Sequence, residues 1–213
     1  MSLSRRTFLK LGVAAAVLAI GGWLFITSLR NTNSAPYKAD LAALSSWTLI
    51  TSDGTEPGVA SLQPASTFSS DLFRQVFQRT MQSLAAPARA AIPLVLQAEY
   101  AESLQGVMSV DNILQTARLV GLQDAQFDPV CVGVVRRTDG GRTSELYFLL
   151  LSSPAFDEFR QRLAPAFPEH AGTAAFDPAA VRPVLPVAST DKDLARWWPL
   201  EIDPERDCLA PIE

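Results

Sequence analysis

Val130-Cys131-Val132-Gly133-Val134-Val135, then Asp139-Gly140-Gly141, then Glu145-Leu146-Tyr147-Phe148-Leu149-Leu150-Leu151 are the segments that decide the fold of this 213-residue chain. The first is rich in β-branched residues and the last is almost wholly apolar. An Asp-Gly turn between two such runs marks a hairpin, because glycine accepts the positive φ that a tight turn needs. Neither run alternates with polar residues, so both faces of the pair are expected to be covered, by helices on at least one side.

Working outward, Ser153-Pro154 supplies a cap and an N1 proline for a helix carrying Phe156, Phe159 and Leu163 at helical spacing. Upstream, Ser109 opens a helix with Ile113, Leu114, Ala117 and Val120 on one side and Gly121 at its end. Ser69 or Ser70 is expected to cap a helix whose apolar face is Phe73, Val76, Phe77, Thr80 and Leu84. Pro87 and Pro93 interrupt that pattern, a further helix runs on to about Leu104, and Gly106 stops it. Nearer the start, Lys38 to Ser45 reads as a short helix, Trp47 to Thr51 as a short strand and residues 53–67 as a loop. Nine of the 15 prolines fall between Pro154 and Pro211, so the last third reads as extended chain wrapped across the outside of the core. One short helix is expected there, Thr190 to Trp198, with Thr190 and Asp193 as a capping box. The expected class is α+β: helices packed on a small, mainly antiparallel sheet, with a Pro-rich wrapping C-terminal segment.

The N-terminus has a different character. Ser4-Arg5-Arg6-Thr7-Phe8-Leu9-Lys10 resembles the twin-arginine (Tat) export signal at every position, with Arg5, Arg6, Phe8, Leu9 and Lys10 as its recognised residues. A merely basic flank would supply charge without Phe-Leu-Lys in register. Leu11 to Leu29 is uncharged and as a helix spans roughly 28 Å, against about 30 Å for a bilayer core. It exceeds the signal-peptide apolar core of about 7–15 residues. The best small-x-small cleavage site, Asn33-Ser34-Ala35, has asparagine where a small residue is expected. The expected organisation is a twin-arginine n-region (1–10), a transmembrane signal-anchor helix (11–29), a tether (30–36) and a periplasmic α+β domain (37–213). Arg5, Arg6 and Lys10 outnumber Arg30 across the apolar run, which keeps the N-terminus cytoplasmic and makes the protein a single-pass inner-membrane one. Cleavage to a soluble periplasmic form is the alternative. The Tat translocase and the bilayer, through residues 11–29, are the partners this reading implies.

Four of the 18 basic residues and none of the 22 acidic ones precede Pro36, so the rest of the chain carries a net charge of −8. Such a surface repels phosphate backbones, which argues against nucleic acid, and it argues against electrostatic attachment to anionic lipid. His170 is the only histidine, and with Cys131 and Cys208 it cannot assemble a zinc, haem or iron–sulfur ligand set, so no cofactor or metal is expected. The two cysteines either pair in an oxidising compartment or leave Cys131 as a small buried apolar residue. Ser189-Thr190-Asp191-Lys192 has the Ser-x-x-Lys spacing of penicillin-binding and β-lactamase sites, without their companion motifs, and helix capping by Thr190 accounts for it. Asp191/Asp193 and Asp203/Glu205/Asp207 could do acid–base work or hold calcium, but an alternating acidic tail reads first as solvated chain. Trp197-Trp198 and the run 146–151 are candidates for either internal burial or partner contact.

Finally, the twin-arginine signal followed by Asp40-Leu41-Ala42-Ala43-Leu44, Trp47-Thr48-Leu49-Ile50 and Asp53-Gly54-Thr55-Glu56-Pro57-Gly58 resembles the cofactor-free small subunits of membrane-bound gluconate and sugar dehydrogenases. The likeness covers less than a third of the chain, and the hairpin at 130–151 departs from that family's mostly helical pattern. It implies no site residue, only an accessory role beside a flavoprotein partner. The expected function is a non-catalytic, membrane-anchored periplasmic accessory subunit of a larger complex. A periplasmic hydrolase using carboxylates or Ser/Thr, or a solute-binding module stacking its ligand on Trp197 or Trp198, is the alternative.

Overall fold

The computed structural model describes residues 35–52, 54, 56–164 and 176–213, and over these the chain is α+β, built on two small antiparallel sheets. Strands β1 (Thr48–Thr51), β2 (Gly58–Gln63) and β3 (Ile92–Leu96) form the first sheet in that order. Strands β4 (Asp128–Asp139), β5 (Arg142–Ser152), β6 (Val184–Ser189) and β7 (Cys208–Ala210) form the second, in the order β6-β5-β4-β7. The helices are α1 (Ser66–Thr80), α2 (Gln97–Glu99) with a π-helical turn at Tyr100–Leu104, α3 (Val110–Leu119), α4 (Pro154–Leu163) and α5 (Pro204–Asp207). The export signal, residues 11–29, most of the tether and His170 lie outside the described residues. Among the described residues no helix is long and apolar enough to cross a membrane.

The hairpin forms as its sequence requires. Asp139 faces Arg142 across a two-residue turn in which Gly140 and Gly141 have φ of 54° and 79°, the left-handed pair that matches strand twist. Side chains then alternate. Val132, Val134, Tyr147, Leu149 and Leu151 enter the main core with Phe156, Phe159 and Leu163 of α4 and Ile113, Leu114 and Ala117 of α3. Cys131, Phe148 and Leu150 point the other way and, with Val184, form a second apolar cluster. Leu200, Ile202 and Cys208 of the C-terminal chain cover that second cluster. Each fully buried Leu or Phe contributes about 1.5–3 kcal/mol, which is why a strand with two apolar faces needs both covered. Gly133 sits where a Cβ would come within 2.5 Å of the Phe148 ring and 2.6 Å of the Asp207 carbonyl oxygen. A side chain there would hold the C-terminal segment off the sheet.

Several expectations need correction. Residues 58–63, read as loop, are the central strand of the first sheet, paired with β1 and β3. The stretch around Pro87 and Pro93, read as interrupting a helical pattern that runs on to about Leu104, contains β3, whose five residues are all buried. Pro93 is tolerated because β3 lies at a sheet edge, where a missing N–H need not break a ladder. Pro186 occupies β6, the other sheet's edge, for the same reason. Helix α1 starts at Ser66 with Ala65 as an N-cap that makes no side-chain bond, and its buried face is Phe68, Leu72 and Val76. Two apolar stripes compete on that helix, and the one containing Phe77 faces out. The Thr190/Asp193 capping box does not form: Thr190 Oγ1 accepts from the Glu145 N–H at 2.8 Å, and only a 3-10 turn, Ala195–Trp197, follows.

The two ends of the domain are joined. Tyr37 and Ile212 form a parallel bridge, with Tyr37 N–H donating to Pro211 O at 2.9 Å and Glu213 N–H to Tyr37 O at 2.7 Å. Arg79 of α1 lays its guanidinium 3.7 Å over the Tyr37 ring and donates to Pro36 O at 2.6 Å.

Candidate functional site

The seam between the sheets holds two small concavities. Pro57 and Gly58 turn the chain into β2, placing the Glu56 carboxylate beside the segment that leads into β3. Arg89 meets Glu56 at 3.1 Å, Ser52 Oγ donates to Glu56 Oε2 at 2.9 Å, and Gln97 Nε2 donates to Glu56 O at 2.8 Å. Glu56, Ser61, Arg89, Lys192 and Asp193 line a cavity of about 100 Å³, and a neighbouring one of about 150 Å³ shares Ala88 and Arg89 with it. Drug-sized ligands occupy about 300–1,000 Å³, so this seam has room for a few water molecules or a small ion. Two acids and two bases on its wall give it no strong sign of charge.

Behind the seam lies a tie that sequence reasoning did not anticipate. Arg160 of α4 is fully buried, and all five of its N–H donors are used. It donates to Pro178 O (3.1 Å), Leu94 O (3.1 Å), Glu99 Oε2 (2.9 Å), Glu99 Oε1 (2.5 Å) and Asp177 O (2.8 Å), with the Phe176 ring 4.4 Å away. Glu99 Oε2 also accepts from Leu96 N–H at 3.2 Å. No N–H of Arg160 remains for a ligand, so the group fastens α4 to the first sheet rather than recognising anything. A signal was present: Arg160 sits among Phe156, Phe159 and Leu163 on an otherwise apolar helix face.

The motif residues fall as follows. Ser189 is buried, its Oγ donating to Glu145 O at 3.2 Å and accepting from Asp191 N–H at 3.0 Å, so the hydroxyl is held in the backbone at the end of β6. Beside it, Tyr147 donates to Glu145 Oε2 at 2.6 Å and Arg136 to Glu145 Oε1 at 2.7 Å. Burial pushes the Glu145 carboxyl up, but the hydrogen bonds from Tyr147 and Arg136 outweigh it and leave the group below its usual range. Burial, then the Glu145 carboxylate, drive the Tyr147 phenol well above its ordinary value. This trio is an acceptor satisfied by two donors, and it offers no general base. In the acidic tail, Asp203 Oδ1 accepts from Glu205 N–H, and Asp207 takes Arg206 and the Asp203 N–H. Among the described residues no group of His, Cys, Asp and Glu is placed to hold a metal ion.

Trp197 is 2% exposed, with the Arg137 guanidinium 5.4 Å above its ring and donating to the carbonyls of Arg196, Trp197 and Pro199. Its indole is therefore spent inside the chain. Trp198 is half-buried against the main core and lines a cavity of about 10 Å³, which leaves no aromatic cleft for a stacked sugar or quinone there. The run 146–151 is buried throughout. Cys131 and Cys208 are joined in a disulfide with their Cα atoms 5.7 Å apart, and Cys131 is at the same time part of the second apolar cluster.

The sequence matches no protein-family model, no curated protein and no solved structure.

Proposed function

We propose that this chain is a non-catalytic accessory subunit, exported in folded form by the twin-arginine route and held at the periplasmic face of the inner membrane by residues 11–29. The observation that carries the reading is the Cys131–Cys208 disulfide in a chain that opens with Ser4-Arg5-Arg6-Thr7-Phe8-Leu9-Lys10. Disulfides persist in oxidising compartments, so two features far apart in the chain agree on one destination. The resemblance of residues 40–58 to dehydrogenase small subunits supports an oxidoreductase as the complex served. The small, internally satisfied polar seam supports a scaffold role over a chemical one.

The test replaces Arg5 and Arg6 together by Lys, which keeps the charge but removes the planar guanidinium fork. In spheroplasts, protease is expected to digest the 36–213 domain of the wild type and spare that of the variant. Thiol alkylation is expected to find Cys131 and Cys208 blocked in the wild type only. Equal digestion and equal thiol state would overturn the export reading. Mild detergent extraction at native expression addresses the second half: a strictly solitary chain would overturn the accessory role.

A further inference from the structure

The two sheets end on edges of unlike character, and those formed by β3, β6 and β7 are closed. The β3 edge carries Pro93 and gives Leu94 O to Arg160. The β6 edge carries Pro186, and Ser189 at its end exchanges hydrogen bonds with Ala85, Ala85 N–H to Ser189 O at 2.7 Å and Ser189 N–H to Ala85 O at 3.0 Å. Strand β7 is three residues long and runs into Pro211. Proline, short length and covering chain are the usual devices that stop a sheet edge from pairing with another chain. The β1 edge, Thr48-Leu49-Ile50-Thr51, has no proline and no charge and, among the described residues, no strand on its outer side.

The register fixes which groups of β1 face out. Ser52 N–H donates to Val59 O at 3.2 Å, and Thr51 faces Ala60, Ile50 faces Ser61 and Leu49 faces Leu62. Antiparallel pairs alternate between residues that bond across and residues that do not, so Ser52, Ile50 and Thr48 turn their N–H and C=O groups to β2. Those of Leu49 and Thr51 point outward, and among the described residues nothing takes them. Trp47 N–H, next in the outward series, donates to Gln123 O at 2.8 Å, which closes the series on that side.

We infer that β1 pairs antiparallel with β1 of a second copy of this chain, with Ile50 on the two-fold axis. In that register Leu49 N–H donates to Thr51 O of the second copy and Thr51 N–H to its Leu49 O, each bond made twice by symmetry, so every outward group finds a partner. The side chains select a copy over a foreign segment. Residues 48–52 are uncharged in a domain of net charge −8, so two copies meet there without like charges opposed, and no charge pattern is present to choose a foreign strand. Leu49 packs on the main core, which puts half-buried Ile50 on the opposite face of the strand. There its nearest cross-strand neighbour is its own image, an apolar pair of β-branched residues. A contact this small falls below the roughly 1,000 Å² of a stable interface, so the pairing is transient. Neither the anchor nor a partner of another kind enters the argument.

Covalent trapping reads a transient pair. The Cα atoms of a non-hydrogen-bonded antiparallel pair lie about 4.5 Å apart, within the range of about 4.4–6.8 Å that a disulfide spans. Full-length Ile50→Cys protein in mild detergent, oxidised with copper phenanthroline, is expected to link to a second copy about tenfold faster than Thr48→Cys, whose two cysteines would sit roughly 14 Å apart. Thr51→Pro in the Ile50→Cys background removes only an outward N–H and should slow linking about tenfold, whereas Thr51→Val keeps that N–H and should not. The Cys131–Cys208 bond and the urea midpoint report whether each variant is folded, and if Thr51→Pro is not, the contrast between positions 50 and 48 decides alone. Equal linking at 48 and 50, no linking at 50, or linking indifferent to Thr51→Pro in a folded protein would overturn the pairing. At native expression, a photoreactive maleimide on the cysteine of Ile50→Cys that captures another polypeptide and not a second copy would also overturn it, and would assign the β1 edge to that partner's strand.

Discussion

The two sheets of this domain are held by different physics. The β6-β5-β4-β7 sheet has an apolar cluster on each face and a covalent tie to its short outer strand. The β1-β2-β3 sheet is short, contains Ser61 and Pro93, and is fastened at its β3 edge by a buried guanidinium–carboxylate pair. The first arrangement rests mainly on apolar burial and the covalent tie. In the second, one cation satisfies Leu94 O of the edge strand, a carboxylate and the returning chain at Asp177 and Pro178. Removing it leaves several buried acceptors without donors at once.

The largest expected effect breaks that second arrangement. Arg160→Met should cost about 3–5 kcal/mol, because Glu99 is left as an uncompensated charge against the sheet. Urea unfolding of the full chain in detergent measures it. The double variant Arg160→Met/Glu99→Met should recover a large part of the loss, since an apolar pair can replace a buried ion pair of similar volume. A single variant as stable as the wild type would mean that the first sheet is held by its apolar residues alone, and the contrast between the sheets would disappear.

The next effect probes the other sheet. Cys131→Ser/Cys208→Ser opens a loop of sequence separation 77, for which chain entropy gives about 4.5 kcal/mol as an upper figure and measured cases run about 2–4. The loss should be local in its first signs. Hydrogen exchange is expected to quicken in β7 and in the Tyr37–Ile212 bridge, which follows β7 in the same chain, while β2 and β3 keep their protection. Uniform acceleration across both sheets would show that the tail and the first sheet unfold together.

The same contrast explains what could be read from the sequence. The second sheet was legible because Val130–Val135 and Leu146–Leu151 are long, β-branched or apolar, and joined by Asp139-Gly140-Gly141. Helices α3 and α4 were legible because Ser109, Gly121 and Ser153-Pro154 punctuate their ends. The first sheet was not. Val59-Ala60-Ser61-Leu62 is too short and too small in side chain to show a period, and Pro93 reads as a breaker until the edge position of β3 is known. For the seam, Glu56 fell within the stretch read as loop and Arg89 carried no reading, since nothing local says that two residues so far apart in the chain will meet. Arg160 was visible only as a misplaced charge on an apolar face. The pairing of Cys131 with Cys208 was left open because their proximity depends on β7 adding to β4, which three residues cannot announce.

The smallest effect concerns acid. The Arg206 hydrogen bonds hold the Asp207 carboxyl below its usual range, against the opposing pull of burial, and the Tyr147 and Arg136 bonds do the same for Glu145. Both groups belong to the second sheet or its approach. A carboxyl whose folded pKa lies below its unfolded one contributes stability that is present above the unfolded pKa and lost as pH falls through the folded value. The window is therefore below about pH 4, the range of unperturbed carboxylates. Arg206 is largely exposed, so its ion pair with Asp207 is worth little. The dominant loss in Asp207→Ala is the bond accepted from Asp203 N–H, about 1 kcal/mol. In the wild type, exchange at Leu209 and Ala210, corrected for intrinsic rates, should rise on acidification before exchange at Ala60 and Leu62. In Asp207→Ala the difference should already exist at neutral pH and change little with acid. If Ala60 and Leu62 loosen first in both proteins, the acid-sensitive contact lies in the Arg160-fastened sheet, and the division of labour between the two sheets must be redrawn.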